Sequence, residues 1–319
     1  MIYSVDKKDL TVGISACLVG DKVRFDASNK PSKFCIKEFS EHVSYKTYCP
    51  EVAIGLPIPR TTIRQIKRGD MIHVSQKDGT GDVTEALKAY GKKVAAMTKR
   101  LSGYVFCAKS PSCGMERVKV YSPEGNSLPS EGIGAFAREI MAANPLLPCE
   151  ENGRLNDPLI RENFVARVFA YKHWQTIEAS GLTKHKLTTF HSHYKYTVMS
   201  HDLIAYKKLG QLLAKADIPL EKMASEYILG LMAALKIIAT RKKHANTLSH
   251  MQGYFSKHLQ AIEKQELCEQ INAYRQGLTP LIAPLTLIKH YLLRYPKDYL
   301  KQQAYLSPYP EQLRLRYAY

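Results

Sequence analysis

Three cysteines stand in turns, where a chain has little use for an apolar filler. Cys17 closes the run "VGISAC", Cys49 closes "VSYKTYC" just before Pro50 and Glu51, and Cys113 lies in the polar turn "SPSCG". A thiol that loses its proton becomes a nucleophile or a soft metal ligand. The separations, 32 residues from Cys17 to Cys49 and 64 from Cys49 to Cys113, exclude a local Cys-x-x-Cys site. Only a fold that gathers distant turns could make these three thiols meet.

The other four cysteines lack that setting. Cys107 falls inside the apolar run "GYVFCAK", Cys149 in a Pro-rich stretch, Cys35 outside any such turn and Cys268 in a helical segment. They are read as structural or incidental, the usual fate of a buried thiol. Seven cysteines, an odd number, argue against a disulfide framework. The start "MIYSVDKKDLTVG" has acidic interruptions and no leader pattern. A cytoplasmic location is expected. No run approaches the ~18 apolar residues of a membrane span, so no membrane partner is expected.

Elements that could gather the three turns are legible in the first half. Short apolar runs end at Gly20 and Lys109, an alternating run of β-favouring residues stops at Pro50, and helical periodicity follows in "VTEALKAYGKKVAAMTKRL" and "GIGAFAREIMAAN". Asp82 is a plausible cap for the first of these helices. Alternating strands and helices predict an α/β domain with a largely parallel sheet over residues 1–150. In such a sheet ligands gather beyond the carboxyl ends of the strands, where all three thiols fall. Residues 151–164, rich in Pro, Asn, Gly and charge, read as a linker. Residues 165–319 read as helical throughout.

Charge separates the halves. Residues 1–155 hold 23 Lys and Arg against 17 Asp and Glu, whereas residues 156–319 hold 23 against 12, a net of +11. The second half also has 14 of the 20 tyrosines. Cations beside stacking-capable rings suit nucleic acid, though tyrosines at helical spacing are more often core. Lys186, His191, Lys195, Arg241, Lys242 and Lys243 are the candidate RNA contacts. The bland reading of each is an exposed helix face.

The segments "VGISACLVGDKVRFD", "CPEVAIGLPIPR" and "KSPSCG" resemble the signatures of the thiouracil desulfurase family. "TKHKLTTFHSHYKYTVMSH", "ANTLSHMQGYF" and "PLTLIKHYL" resemble a helical domain often fused to it, long without assigned function. The two-domain arrangement is similar to bacterial tRNA 4-thiouridine desulfidases. This resemblance implies a [4Fe–4S] cluster held by Cys17, Cys49 and Cys113, with one iron not ligated by protein. Such chemistry is consistent, since clusters take thiolates and a free coordination position accepts substrate. Gly114 beside Cys113 is expected to let the backbone approach the cluster. Where the family's first motif has a tyrosine and an aspartate followed by glycines, this chain has "VRFDASNK", with Phe25, Ala27 and Ser28, so no substrate contact is assigned to residues 25–29.

The resemblance also implies catalysis by the glutamate of the Cys-Pro-Glu motif, Glu51, whose bland reading is a surface salt bridge. It points to a serine of the "SPSCG" loop as well. Ser110 is the first choice and Ser112 the second, against plain turn-forming chemistry. The expected activity is hydrolytic removal of sulfur from thiolated uracil, foremost 4-thiouridine in tRNA, releasing sulfide. Net charge favours tRNA over free 2-thiouracil, because a free base needs no basic domain. A different class, a nucleic-acid-binding protein with structural zinc or a sensing cluster, ranks lower because no fourth protein ligand stands in context.

Overall fold

The computed structural model describes residues 5–316 and has two compact units, Val5–Asp157 and a unit from Pro158 onward. The first unit runs β1 (Thr11–Ser15), α1 (Lys33–Lys37), β2 (Ser44–Tyr48), α2 (Pro50–Ala53), β3 (Ile63–Arg68), β4 (Met71–Gln76), α3 (Thr84–Met97), β5 (Gly103–Phe106), β6 (Val118–Tyr121), β7 (Ser127–Gly132), α4 (Ala135–Ala143) and β8 (Cys149–Glu151). It is the α/β domain the alternation predicts, built on two four-stranded sheets instead of one.

The first sheet has the order β2-β1-β5-β8 and is parallel throughout. Its central strands are apolar because both faces are covered: Val12, Ile14, Tyr104, Val105 and Phe106 have no exposed surface. Tyr104 stacks on Tyr48 and Phe106, with centroids 5.8 and 4.2 Å away. Gly13 leaves room for that ring, since a Cβ there would lie 2.4 Å from it. The second sheet, β4-β3-β6-β7, is mixed: β3 and β4 form an antiparallel hairpin, β3 and β6 run parallel, and β6 and β7 antiparallel. Asp82 lies one residue before the N-cap of α3, and its carboxylate accepts from the Thr84 N–H at 2.9 Å.

Residues 151–164 are not an open linker. Cys149–Glu151 is a strand, in register with Tyr104–Phe106, and a helix begins at Pro158. Glu150 holds the intervening turn by accepting from Arg154 Nε at 2.6 Å. A charged, Gly-containing stretch can thus be fixed by its own ion pair.

The second unit is helical: α5 (Pro158–Ala179), α6 (Lys184–His201), α7 (Leu203–Ala214), α8 (Leu220–Lys236), α9 (Arg241–Gln252), α10 (Ala261–Gln276), α11 (Ile282–Arg294) and α12 (Asp298–Lys301). One core gathers Tyr196, Leu248, Phe255, Leu267, Ile288 and Tyr305. The Pro-free run from Leu220 breaks after Lys236, and Thr240 caps the next helix through the Lys243 N–H. Among the described residues no helix is long and apolar enough to cross a membrane.

Candidate active site

The parallel register of the first sheet brings three strand ends to one edge. Ser15 pairs with Tyr48, Ile14 with Val105, and Phe106 with Glu151. Cys17 follows β1 in a 3-10 turn, Cys49 follows β2 as the N-cap of α2, and Cys113 sits in the loop after β5. All three line one cavity of about 280 Å³, with Glu51 and Ser110 also on its wall. The sequence-distant thiols therefore meet as a parallel sheet requires. Cys35, Cys149 and Cys268 do not line it.

Cys107 does line it, contrary to its reading as part of a strand. The strand stops at Phe106, so Cys107 is the first residue beyond the sheet. Its N–H donates to Ser15 Oγ at 3.0 Å, which pins it to the end of β1. The neighbouring thiols are unequal: Cys107 and burial push Cys17 up, whereas Cys17, Lys30 and Arg24 pull Cys107 down. Burial pushes Cys49 up and Cys113 far up. The cavity thus disfavours charge on Cys17, Cys49 and Cys113 and favours it on Cys107.

Glu51 is no surface salt-bridge partner. Arg60 grips its Oε2 with Nε at 3.0 Å and Nη2 at 2.8 Å, while Ser112 Oγ donates to Oε1 at 3.0 Å. The Arg60 side chain is only 5% exposed, and its Nη2 also donates to the Val23 carbonyl at 2.9 Å. A desolvated fork of this kind fixes a carboxylate in position. The two serines divide their work. Ser112 is fully buried and orients Glu51. Ser110 Oγ accepts from the N–H groups of Ser112 and Cys113 at 3.2 and 3.1 Å, closing the turn, and leaves its own proton to donate. Gly114 serves the loop itself: a Cβ there would meet Val118 at 2.4 Å and the Ser110 carbonyl at 2.8 Å. Glu151 anchors the far side, accepting from the Met115 N–H at 2.7 Å.

Sequence reasoning gave no role to Arg60, Arg24, Lys30, Lys109 or Tyr48, all of which line the cavity. Arg60 had a signal: the turn "GLPIPR" folds back on the Cys-Pro-Glu motif. The Tyr48 hydroxyl is buried without a hydrogen-bond partner. Three strand-end thiols, cationic walls and an unpaired donor fit an anionic, thiolate-ligated group. Among the described residues no three His, Cys, Asp or Glu side chains converge as ligands of a single metal ion. A cluster makes no such demand, because each thiolate binds a different iron and the ligands enclose a volume.

The candidate RNA contacts fare differently. Lys186 Nζ caps α5 through the Ser180 and Gly181 carbonyls, both at 2.8 Å. His191 pairs with the Tyr227 hydroxyl at 3.3 Å, and burial pushes it down to about 4, so it is a neutral ring. Lys195 lies over the Tyr206 ring, 5.8 Å from its centroid. Arg241 caps α10 through the Tyr274 carbonyl, and Lys243 donates to the His201 carbonyl. Lys242 is exposed. Most of the tyrosines are core: Tyr171, Tyr194, Tyr196, Tyr227, Tyr274, Tyr291, Tyr305 and Tyr309 are all buried. Tyr317 and Tyr319 lie outside the described residues. Exposed positive charge sits instead on Lys207, Lys208, Lys215, Lys222, Lys236 and Lys242.

Two family models match separate parts of the chain. Residues 12–152 match the family model for 2-thiouracil desulfurase, and residues 195–310 match that of a protein family of unknown function, DUF1722. The uncharacterized protein YbgA of Escherichia coli (strain K12) is 35% identical over 161 residues, spanning 49% of this chain and 94% of that protein. A solved structure, the [4Fe-4S]-dependent thiouracil desulfidase TudS, is 26% identical, covering 46% of this chain and 93% of that one, with a TM-score of 0.37. The chain belongs to the family of YbgA, and the residues that match the 2-thiouracil desulfurase model include the cysteine-lined sheet edge.

Proposed function

We propose that the protein hydrolyses the carbon–sulfur bond of thiolated uracil, with 4-thiouridine in tRNA as substrate and uridine and hydrogen sulfide as products. The observation that carries this reading is that Cys17, Cys49 and Cys113 share one cavity with the fixed Glu51 carboxylate. The three thiolates would hold a [4Fe–4S] cluster, leaving one iron without a protein ligand. When bound, the cluster supplies a soft Lewis acid for the substrate sulfur.

The chain's own residues do the remaining work. Glu51, held in place by Arg60, accepts a proton from the water that adds to the sulfur-bearing carbon. Ser112 keeps its second oxygen aimed. Ser110 donates its free proton to the base. Arg24 and Lys30 offset the charge of the thiolates. Both protons of the water end on the departing sulfide, so no electrons are exchanged.

The preference for tRNA rests on the net charge of +11 over residues 156–319 and on the exposed lysines of the helical unit. Phosphate contacts release counterions, so affinity should fall by about 0.9 log units per log unit of salt for each duplex contact. The test exchanges Lys207, Lys208, Lys236 and Lys242 for Glu in the full chain. Loss of 4-thiouridine from tRNA and desulfuration of free 2-thiouracil are then measured per bound iron. The first should fall and lose its salt dependence while the second is kept. Equal rates on tRNA for both proteins would leave the charge a solvated surface and favour the free base as substrate.

A further inference from the structure

We propose that one corner of the helical unit, formed by the connections that follow α9 and α11, binds unpaired nucleotides of RNA by stacking their bases on exposed rings. The inference deepens the reading of tRNA as substrate and rests on it, but not on the desulfuration chemistry.

Each connection brings two rings, and the rings pair across them. Tyr254 stacks on Tyr299 with centroids 5.7 Å apart and planes 18° from parallel. His258 stacks on Tyr295 at 5.3 Å and 22°. Tyr295 and Tyr299 are the inner members and pack against the helical core. Tyr196 meets the Tyr299 ring edge-on at 6.3 Å, so that inner ring is itself held. Tyr254 and His258 are the outer members and are exposed, Tyr254 by 39% although Tyr299 covers one of its faces. An outer ring set on a fixed inner one offers a flat apolar surface to water and has little freedom left to lose on binding.

Cations alternate with these rings. Lys257 stands between Tyr254 and His258 in the chain, and Lys297 between Tyr295 and Tyr299. Lys297 Nζ lies 2.9 Å from His258 Nε2, and Arg294 lies over the Tyr295 ring, 5.4 Å from its centroid. Lys195, next to Tyr196, lies over the Tyr206 ring. Of these four cations only Arg294 forms an ion pair among the described residues, with Glu263 at 2.7 Å. The plain reading is a rim of polar rings that closes the core. A rim needs neither an outer ring layer nor unpaired ammonium groups. An acidic protein segment would use the cations and leave the rings idle. A single strand alternates a flat base with an anionic phosphate and matches both, whereas a duplex hides its base faces.

The experiment uses the full chain. Affinities for a labelled oligouridine, for the same strand paired with oligoadenosine, and for tRNA are measured for wild type, Tyr254→Leu, His258→Leu and Tyr254→Phe. Tyr254→Leu and His258→Leu should each weaken the single strand by about 5- to 100-fold, the range for loss of one base–ring stack. Tyr254→Phe keeps the ring and should bind as wild type does, and all four should hold the duplex equally. His258→Leu lies at an exposed position and keeps the test open if Tyr254→Leu fails to fold. Unchanged single-strand affinity in the Leu variants would overturn the proposal. So would polyglutamate displacing the strand as well as unlabelled oligouridine does, which would mark a site for acidic protein. Wild type that holds tRNA but not oligouridine would overturn this proposal alone. Wild type that holds neither would overturn the tRNA reading with it.

Discussion

The two units differ in where their buried charged groups find partners. In the helical unit one buried network closes on itself: Glu162 accepts from Tyr309 and from Arg316, both at 3.0 Å, and Tyr305 joins His244 at 2.9 Å. In the α/β unit Cys17, Cys49, Cys107 and Cys113 border a cavity, and Glu51 is fixed on two sides while still lining it. Burial of a polar group is costly in either place. Where partners close the network, the groups specify packing. Where a cavity remains among them, a ligand is the missing partner.

The largest effect should come from the ligand set. Cys17→Ser, Cys49→Ser and Cys113→Ser should each lose the cluster, whereas Cys35→Ser, Cys149→Ser and Cys268→Ser should retain it, read as iron and acid-labile sulfide per chain. Retention of a full cluster by any of the first three would break the contrast at its base. Next comes Glu51→Gln, which keeps the shape of the side chain and removes its charge. Turnover should fall by roughly 10²–10⁴-fold with iron content unchanged. Normal turnover in the loaded variant would remove Glu51 from the mechanism.

Glu162→Gln should do the reverse. It leaves Arg316, whose side chain is 10% exposed, without its carboxylate, so unfolding free energy should drop by about 3–5 kcal/mol with iron content intact. Chemical denaturation checks it, and an unchanged midpoint would show that the helical network is not structural.

Much of this contrast was legible beforehand. β1 and β5 are apolar runs and β2 an alternating one, each ended by a turn, so the strand ends carrying Cys17, Cys49 and Cys113 could be placed from sequence. Cys107 was misplaced because a strand boundary one residue earlier decides whether a side chain joins the core or the cavity. β8 is three residues long and sits in a Pro- and Gly-rich stretch, so only its pairing with β5 reveals it. Arg60 meets Glu51 through a turn nine residues long, and no periodicity reports such a return. In the helical unit, composition misled. Lys186, Arg241 and Lys243 look like phosphate ligands in sequence, yet each finishes a helix end or holds a carbonyl. Charge alone cannot tell a cap from a contact.

The smallest effect expected is one of pH on the helical unit. Burial pushes His173 and His191 down to about 4. The unfolded chain, with rings near 6.5, then binds more protons than the folded one. Stability is complete above about 6.5 and is lost as pH falls toward about 4, by about 1.4 kcal/mol per pH unit for each ring. Denaturation midpoints at pH 7 and pH 5 should differ accordingly, and equal midpoints would contradict neutral burial of these rings.

The most direct test is metal analysis of the full chain purified without oxygen, coupled to sulfide release from thiolated uracil. A brown protein with about four irons and four acid-labile sulfides per chain, releasing sulfide only when loaded, is the predicted result. A colourless, iron-free, zinc-loaded protein that leaves the substrate intact would contradict it.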